Sequence, residues 1–287
     1  MATTSVRPPP AEVVGRQSIR DPDSGLLYAA VVVAVLSTIQ VFVYPFGRTL
    51  SEYAIGGREL LLGGAPAKTF WSLRAPGIAF LHAAVQRLIS PTPIAARAVE
   101  VLSLFGMVFV AIRLCKRFAA YERVGLIGGA VALFVHSQLE FEHTGQPELY
   151  ATLFIGFAAW LATRERSRQR RYWQFVLIGA MISIAIVFVP LFALTLVPIL
   201  FWIAREEHEL RLSGWAPVLA CLTVLASSLI APLWLVAWLY RHAALGLFVR
   251  DWLVPSLHLF TAWTPEAFLE WLYFTADRLL LRQSAIV

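Results

Sequence analysis

The chain is short of charge. Asp, Glu, Lys and Arg make up 15% of its 287 residues, where a soluble domain carries about 25%. Most segments also lack the polar face that a helix in water needs, which excludes an ordinary soluble globule. Cysteine is scarce too: Cys115 and Cys221 stand far apart, in or beside apolar segments. Neither a disulfide framework nor a metal-ligand spacing follows from them. Phosphate-cradling glycine-rich loops, a nucleophile elbow, a His-x-x-x-His pair and internal repeats are all missing from the sequence, which removes the reactions those motifs announce.

Long apolar runs are what the chain does have, and its mean hydropathy is +0.68. Lipid is the solvent such a composition implies. The net charge of +6 does not point to nucleic acid, because the basic residues sit in short loops between apolar runs rather than on a soluble face. Ten Trp and eight Tyr suit the two interfacial belts of a membrane protein. The first 24 residues are polar and contain Pro8, Pro9 and Pro10; they read as a disordered cytoplasmic tail. The run after them, Gly25 to Val43, is too long for a signal-peptide core and has no small-residue cleavage site behind it, so it reads as a retained span.

Eight apolar runs are candidates to cross: 25–45, 76–90, 96–114, 125–139, 149–163, 173–189, 190–204 and 215–240. Charge selects among them. Arg164 to Arg171 holds five arginines in eight residues and is expected on the cytoplasmic side, as are Arg113, Lys116, Arg117 and Arg123. An even number of crossings must separate the tail from Arg113, yet three runs lie between. The run at 76–90 is the shortest and carries His82, Gln86 and Arg87, so it is assigned to the interface. The expectation is an all-α, polytopic transmembrane bundle of about seven spans, with interfacial helices in the first outer loop. The transmembrane module covers 25–240, and its outer loops are 46–95 and 140–148, with a tight turn at Pro190. An amphipathic outer-side segment, 241–287, follows. On this topology 14 Lys and Arg lie inside and 10 outside.

The two outer loops hold most of the polar chemistry. In the first, Ser51 can cap a short amphipathic helix beginning at Glu52, with Gly63, Gly64 and Pro66 ending it. Glu52, Arg58 and Glu59 then point to water or a cleft, and a second helix follows Pro76. The second loop, Glu140 to Glu148, gathers Glu140, Glu142, His143 and Glu148 in nine residues. Ionisable groups at a membrane boundary are costly unless they are solvated, paired or functional. Glu148 has a plain alternative as a first-turn residue favoured by the helix dipole. His82 and His136 read as polar residues packed on apolar helices.

At these loops the chain resembles the C-type (GT-C) membrane-embedded glycosyltransferases, the protein O-mannosyltransferase and aminoarabinose-transferase-like group. The matching residues are Tyr53, Gly57, Leu60, Leu61, Gly63 and Pro66, then Arg74, Pro76 and Gly77, then Ile94 to Arg97, then Thr144 to Glu148. The resemblance covers roughly 25–200. It implies a multi-pass protein of the bacterial inner membrane, N-terminus cytoplasmic, taking a sugar from a polyprenyl-phosphate lipid to a glycan, lipid or protein acceptor outside, with inversion. The family's catalytic Asp has no counterpart, since the first loop holds no Asp. Glu52 is the nearest carboxylate and is expected as general base, with Arg58 and Arg74 on the leaving phosphate. Glu140, Glu142, His143 and Glu148 are expected to orient the acceptor or hold a divalent cation; no other cofactor is implied. Family members are commonly longer, so this chain reads as a shortened or inactive relative. A non-catalytic scaffold or partner subunit keeping the fold is the alternative. A transporter is a third class, disfavoured because charges keep to the ends of the spans.

Overall fold

The computed structural model describes residues 24–70, 75–119, 122–139, 144–164, 172–209 and 214–254. The N-terminal tail, the arginine-rich stretch after Arg164 and most of the 241–287 segment lie outside them. Among the described residues the chain is helical and forms no strand. Three stretches are long and apolar enough to cross a bilayer: Ser24–Val43, Pro93–Phe118 and Ala216–Arg241. That is the pattern of a helical membrane protein. Arg123–Ser137 and Trp173–Phe188 are apolar but shorter.

Helix α1 (Ser24–Val43) stops where Pro45 forbids the helical conformation of the residue before it. Only Ala30, Ser37 and Val41 of α1 are buried, and the large side chains of Val31, Val35, Leu36 and Ile39 face outward. A helix with apolar residues on its exposed side suits a hydrocarbon surrounding. Helices α2 (Arg48–Leu61) and α3 (Gly77–Leu88) follow as a packed pair. The main bundle comprises α4 (Pro93–Ala119), α5 (Glu122–Ser137), α6 (Pro147–Thr163), α7 (Trp173–Phe188), α8 (Leu196–Glu209), α9 (Ala216–Ser228) and α10 (Ile230–Arg241). Helix α5 packs on α1 and α4, α6 on α4 and α7, and α9 on α7 and α8.

Two apolar cores stack along the bundle. One joins Val41, Leu50, Tyr53, Ile78, Leu104, Leu133, Tyr150 and Phe188, so it lies where α1, α5 and α7 end and α6 begins. The other joins Ala158, Ile178, Ile182, Ile203 and Val224 toward the opposite ends. Helices α2 and α3 therefore cap one end of the bundle. Arg113, Lys116, Arg117, Arg123, Arg164 and Arg205 are carried at the other. Helix α3 has 12 residues and spans about 18 Å at 1.5 Å per residue. It packs on α2, α4 and α7 at the capped end.

Two details differ from the sequence expectation, the start of α2 and the turn at Pro190. Helix α2 starts at Arg48, with Gly47 as its extended N-cap residue. Ser51 does not cap it: its hydroxyl donates to the Gly47 carbonyl at 2.8 Å from inside the first turn. Pro45 and Gly47 already break α1, so the new helix forms as soon as the break is passed. The expected tight turn at Pro190 is a 3-10 helix, Pro190–Thr195, after an extended Val189. Past α10, the described part of the amphipathic segment forms α11 (Leu245–Phe248) and a π-helical turn, Val249–Leu253.

Candidate functional site

At the capped end a buried ionic knot fastens the two loops to the bundle. Arg97 and Glu100 stand three residues apart on α4, hence on one face, and are 2% and 1% exposed. An ion pair so desolvated needs its remaining donors and acceptors filled; the loops fill those of both Nη atoms, while Nε is buried without a partner among the described residues. Arg97 Nη1 donates to Glu100 Oε2 at 2.6 Å and to Thr144 Oγ1 at 2.7 Å, and Nη2 donates to the Pro45 carbonyl at 2.7 Å. The other Glu100 oxygen meets His136 Nε2 of α5 at 3.0 Å. One guanidinium thereby holds the start of the first loop and the end of the second.

Nearby polar contacts repeat the pattern. The Tyr44 hydroxyl donates to the Ser137 carbonyl at 2.6 Å, and the Tyr53 hydroxyl to Gln146 Oε1 at 3.0 Å. Gly145 runs between α2 and α4 with φ of +65°, in the left-handed region that favours glycine. A Cβ there would come within 2.6 Å of Leu50. Gly57 serves the α2–α3 crossing in the same way: its Cβ would lie 2.7 Å from the backbone nitrogen of Ala83.

Under α3 is an apolar cavity of about 430 Å³. Phe80 and Leu81 of α3 roof it, Val99 of α4 and Trp234 of α10 flank it, and Phe154 and Phe188 back it. His82, also on α3, is 4% exposed. Burial drives its pKa down to about 4, against a smaller upward pull from Glu100, so the imidazole is neutral near pH 7.

The residues singled out in the sequence do not gather in one cleft. Glu52 lies on the outer face of α2 and pairs with Arg48 at 3.1 Å, the two side chains 52% and 87% exposed. Arg58 is exposed on the same helix, at a shallow groove shared with Leu61, Leu62 and Pro91. Glu148 sits in the first turn of α6, the position expected from its dipole role, and is half-buried. Arg74, Glu140, Glu142 and His143 lie outside the described residues. Among the described residues no group of three or more His, Cys, Asp or Glu side chains could hold a metal.

Sequence reasoning missed Glu100 altogether and took Arg97 only as part of a motif. The signal was present: two ionisable residues of opposite sign, three apart, followed by twelve uncharged residues of the same helix, call for burial as a pair. His136, read as a packed polar residue, is the third member of the knot. Compared with family models, characterised proteins and solved structures, the chain matches none of them.

Proposed function

We propose that the chain is a multi-pass membrane glycosyltransferase of C type, with about seven spans and its basic helix ends in the cytoplasm. It moves a sugar from a polyprenyl-phosphate donor to an acceptor on the opposite side. The observation that carries this reading is the Arg97 knot, which draws together the two loops on which the resemblance rests. The adjoining apolar cavity suits the donor's hydrocarbon chain. On this reading Glu52 takes the proton of the acceptor hydroxyl or amine as that atom attacks the anomeric carbon. The bond from that carbon to the phosphate oxygen breaks, and polyprenyl phosphate leaves with the electron pair, inverting the centre. Arg58 and Arg74 stabilise the developing phosphate charge.

The test uses full-length protein in lipid nanodiscs with polyprenyl-phosphate-linked mannose or aminoarabinose. Glu52→Gln is expected to slow release of polyprenyl phosphate by at least about 100-fold while the fold stays intact. Topology is tested in parallel with single cysteines, after Cys115 and Cys221 are replaced by Ser. Arg58→Cys and Gln138→Cys should label from one side and Arg164→Cys from the other. Labelling of positions 58 and 138 from opposite sides would end the transfer reading.

A specific observation also favours the scaffold alternative. Glu52 faces outward, paired with Arg48, and lines none of the cavities described above. A scaffold predicts that Glu52→Gln changes neither sugar transfer nor cell phenotype.

A further inference from the structure

A second cavity, of about 240 Å³, lies between α2, α3 and the start of α4. It is separate from the apolar one and differs from it in chemistry. His82 lines it together with Ser51, Gln86, Ser90 and Thr92, and Phe46 supplies an apolar wall. Among the described residues no charged side chain lines it, and the nearest cation on the adjoining groove is Arg58. Ser90, Pro91 and Thr92 border it, and Pro91 and Thr92 are exposed, so this strand of chain forms its mouth.

His82 is the telling residue. Its ring touches Phe46 edge-on, with centroids 6.4 Å apart, and Tyr53 at 6.1 Å. Neither ring nitrogen bonds to a described residue. Since neither nitrogen is a sealed, unpartnered atom, an imidazole with no partner among the described residues reaches open space, and its hydrogen bonds are expected to go to something in the cavity. A neutral imidazole offers one N–H donor and one lone pair. A hydroxyl, which both donates and accepts, matches that pair of functions. Gln86 adds an acceptor: its Nε2 donates to the Ala54 carbonyl at 2.7 Å, which leaves Oε1 free to turn toward the space. The uncharged side chains among the described lining suit a neutral guest, since a charge placed against them would lose water and gain no counter-charge there. The size sets a further limit, because drug-sized ligands occupy cavities of about 300 Å³ and more. One small ring fits the pocket itself, and a longer glycan would continue into the adjoining groove of about 630 Å³, which shares Ala54, Ile55, Gln86 and Pro91 with it.

We infer that this pocket binds a single neutral, hydroxyl-bearing ring, with His82 on its floor as paired donor and acceptor. Naming that ring a sugar, the acceptor-side unit of the transferase, rests on the function proposed above. The cavity itself does not depend on it.

Saturation-transfer NMR on the full chain in nanodiscs, with mannose, glucose, galactose and arabinose as probes and glycerol as an open-chain control, reads binding without turnover. Transfer to the ring protons of at least one sugar, and none to glycerol, is expected. His82→Phe should weaken it about tenfold or more, by removing both hydrogen bonds. Ala54→Phe, which fills the cavity from α2 and leaves the imidazole in place, should abolish it. If His82→Phe fails to fold, Ala54→Phe alone decides. Absence of transfer to every ring sugar, or transfer unchanged in Ala54→Phe, overturns the proposal. Loss of turnover in Glu52→Gln with binding retained upholds both readings. Retained turnover in Glu52→Gln, with binding lost in Ala54→Phe, removes the catalytic role and leaves the pocket standing.

Discussion

Two ion pairs at the capped end have nearly the same local geometry and opposite surroundings. Arg97–Glu100 and Arg48–Glu52 both join residues one helical turn apart, at 2.6 and 3.1 Å. The side chains of the first pair are 3% and 1% exposed, those of the second 87% and 52%. In the first, each charge has lost its water and depends on named protein partners. In the second, water competes for both charges and salt screens them. Sequence alone makes the pairs look alike, and the expected general base, Glu52, is a member of the exposed one. Burial is what separates a side chain that organises the fold from one that is free to meet a substrate.

Breaking the buried pair should have the largest effect. Arg97→Leu strands the Glu100 carboxylate and leaves Thr144 and the Pro45 carbonyl without their shared donor. Removing one member of a buried pair costs about 3–5 kcal/mol, read here as a lowered unfolding midpoint in mixed micelles. The double variant Arg97→Leu/Glu100→Leu removes both charges and should recover most of that loss, since an apolar pair of similar volume carries no desolvation cost. A single-variant loss under about 1 kcal/mol would mean that the knot is no more than a surface pair in energetic terms.

The second effect concerns a charge the fold keeps out. His82 has its pKa lowered from 6.5 to about 4, chiefly by burial. Between these values the unfolded chain binds a proton that the folded chain refuses, so stability rises with pH there. The full contribution is present above about pH 6.5, is lost as pH falls toward 4, and changes no further below that. The difference corresponds to about 3 kcal/mol. Unfolding measured from pH 7 down to pH 4 should show this slope, and His82→Phe should flatten it. An unchanged slope in the variant would assign the acid sensitivity elsewhere.

How much of this was legible follows from the range of each signal. Run length and Pro or Gly breaks are local. They gave the helical class, the position of α2 and α3 between α1 and α4, and the exclusion of 76–90 as a long helix. The start of α2 slipped by four residues, because a Ser followed by Glu imitates a cap while the Pro45–Gly47 break had already released the chain. The knot was not legible: its partners are 36 to 52 residues apart, and only tertiary packing brings Pro45, Arg97, His136 and Thr144 together. His82 and His136 look alike in sequence, each a lone histidine on an apolar helix. In the fold one meets a carboxylate and the other faces a cavity.

The smallest effect on stability is expected at the exposed pair, and there it discriminates best. Arg48 precedes Glu52 by four residues, the less favourable order for a helical pair, and both ends are solvated. Glu52→Gln should therefore change stability by no more than about 0.5 kcal/mol, and raising the salt concentration should shrink even that. A carboxylate so weakly tied to the fold is free of structural duty. Any large loss of sugar transfer in Glu52→Gln then belongs to chemistry, because no unfolding accompanies it. Arg48→Gln sharpens the point by removing the partner and leaving the carboxylate. If transfer is lost in Glu52→Gln but kept in Arg48→Gln, the carboxylate itself is the base. If both abolish transfer equally, the pair positions the start of α2, and Glu52 is a positioning residue.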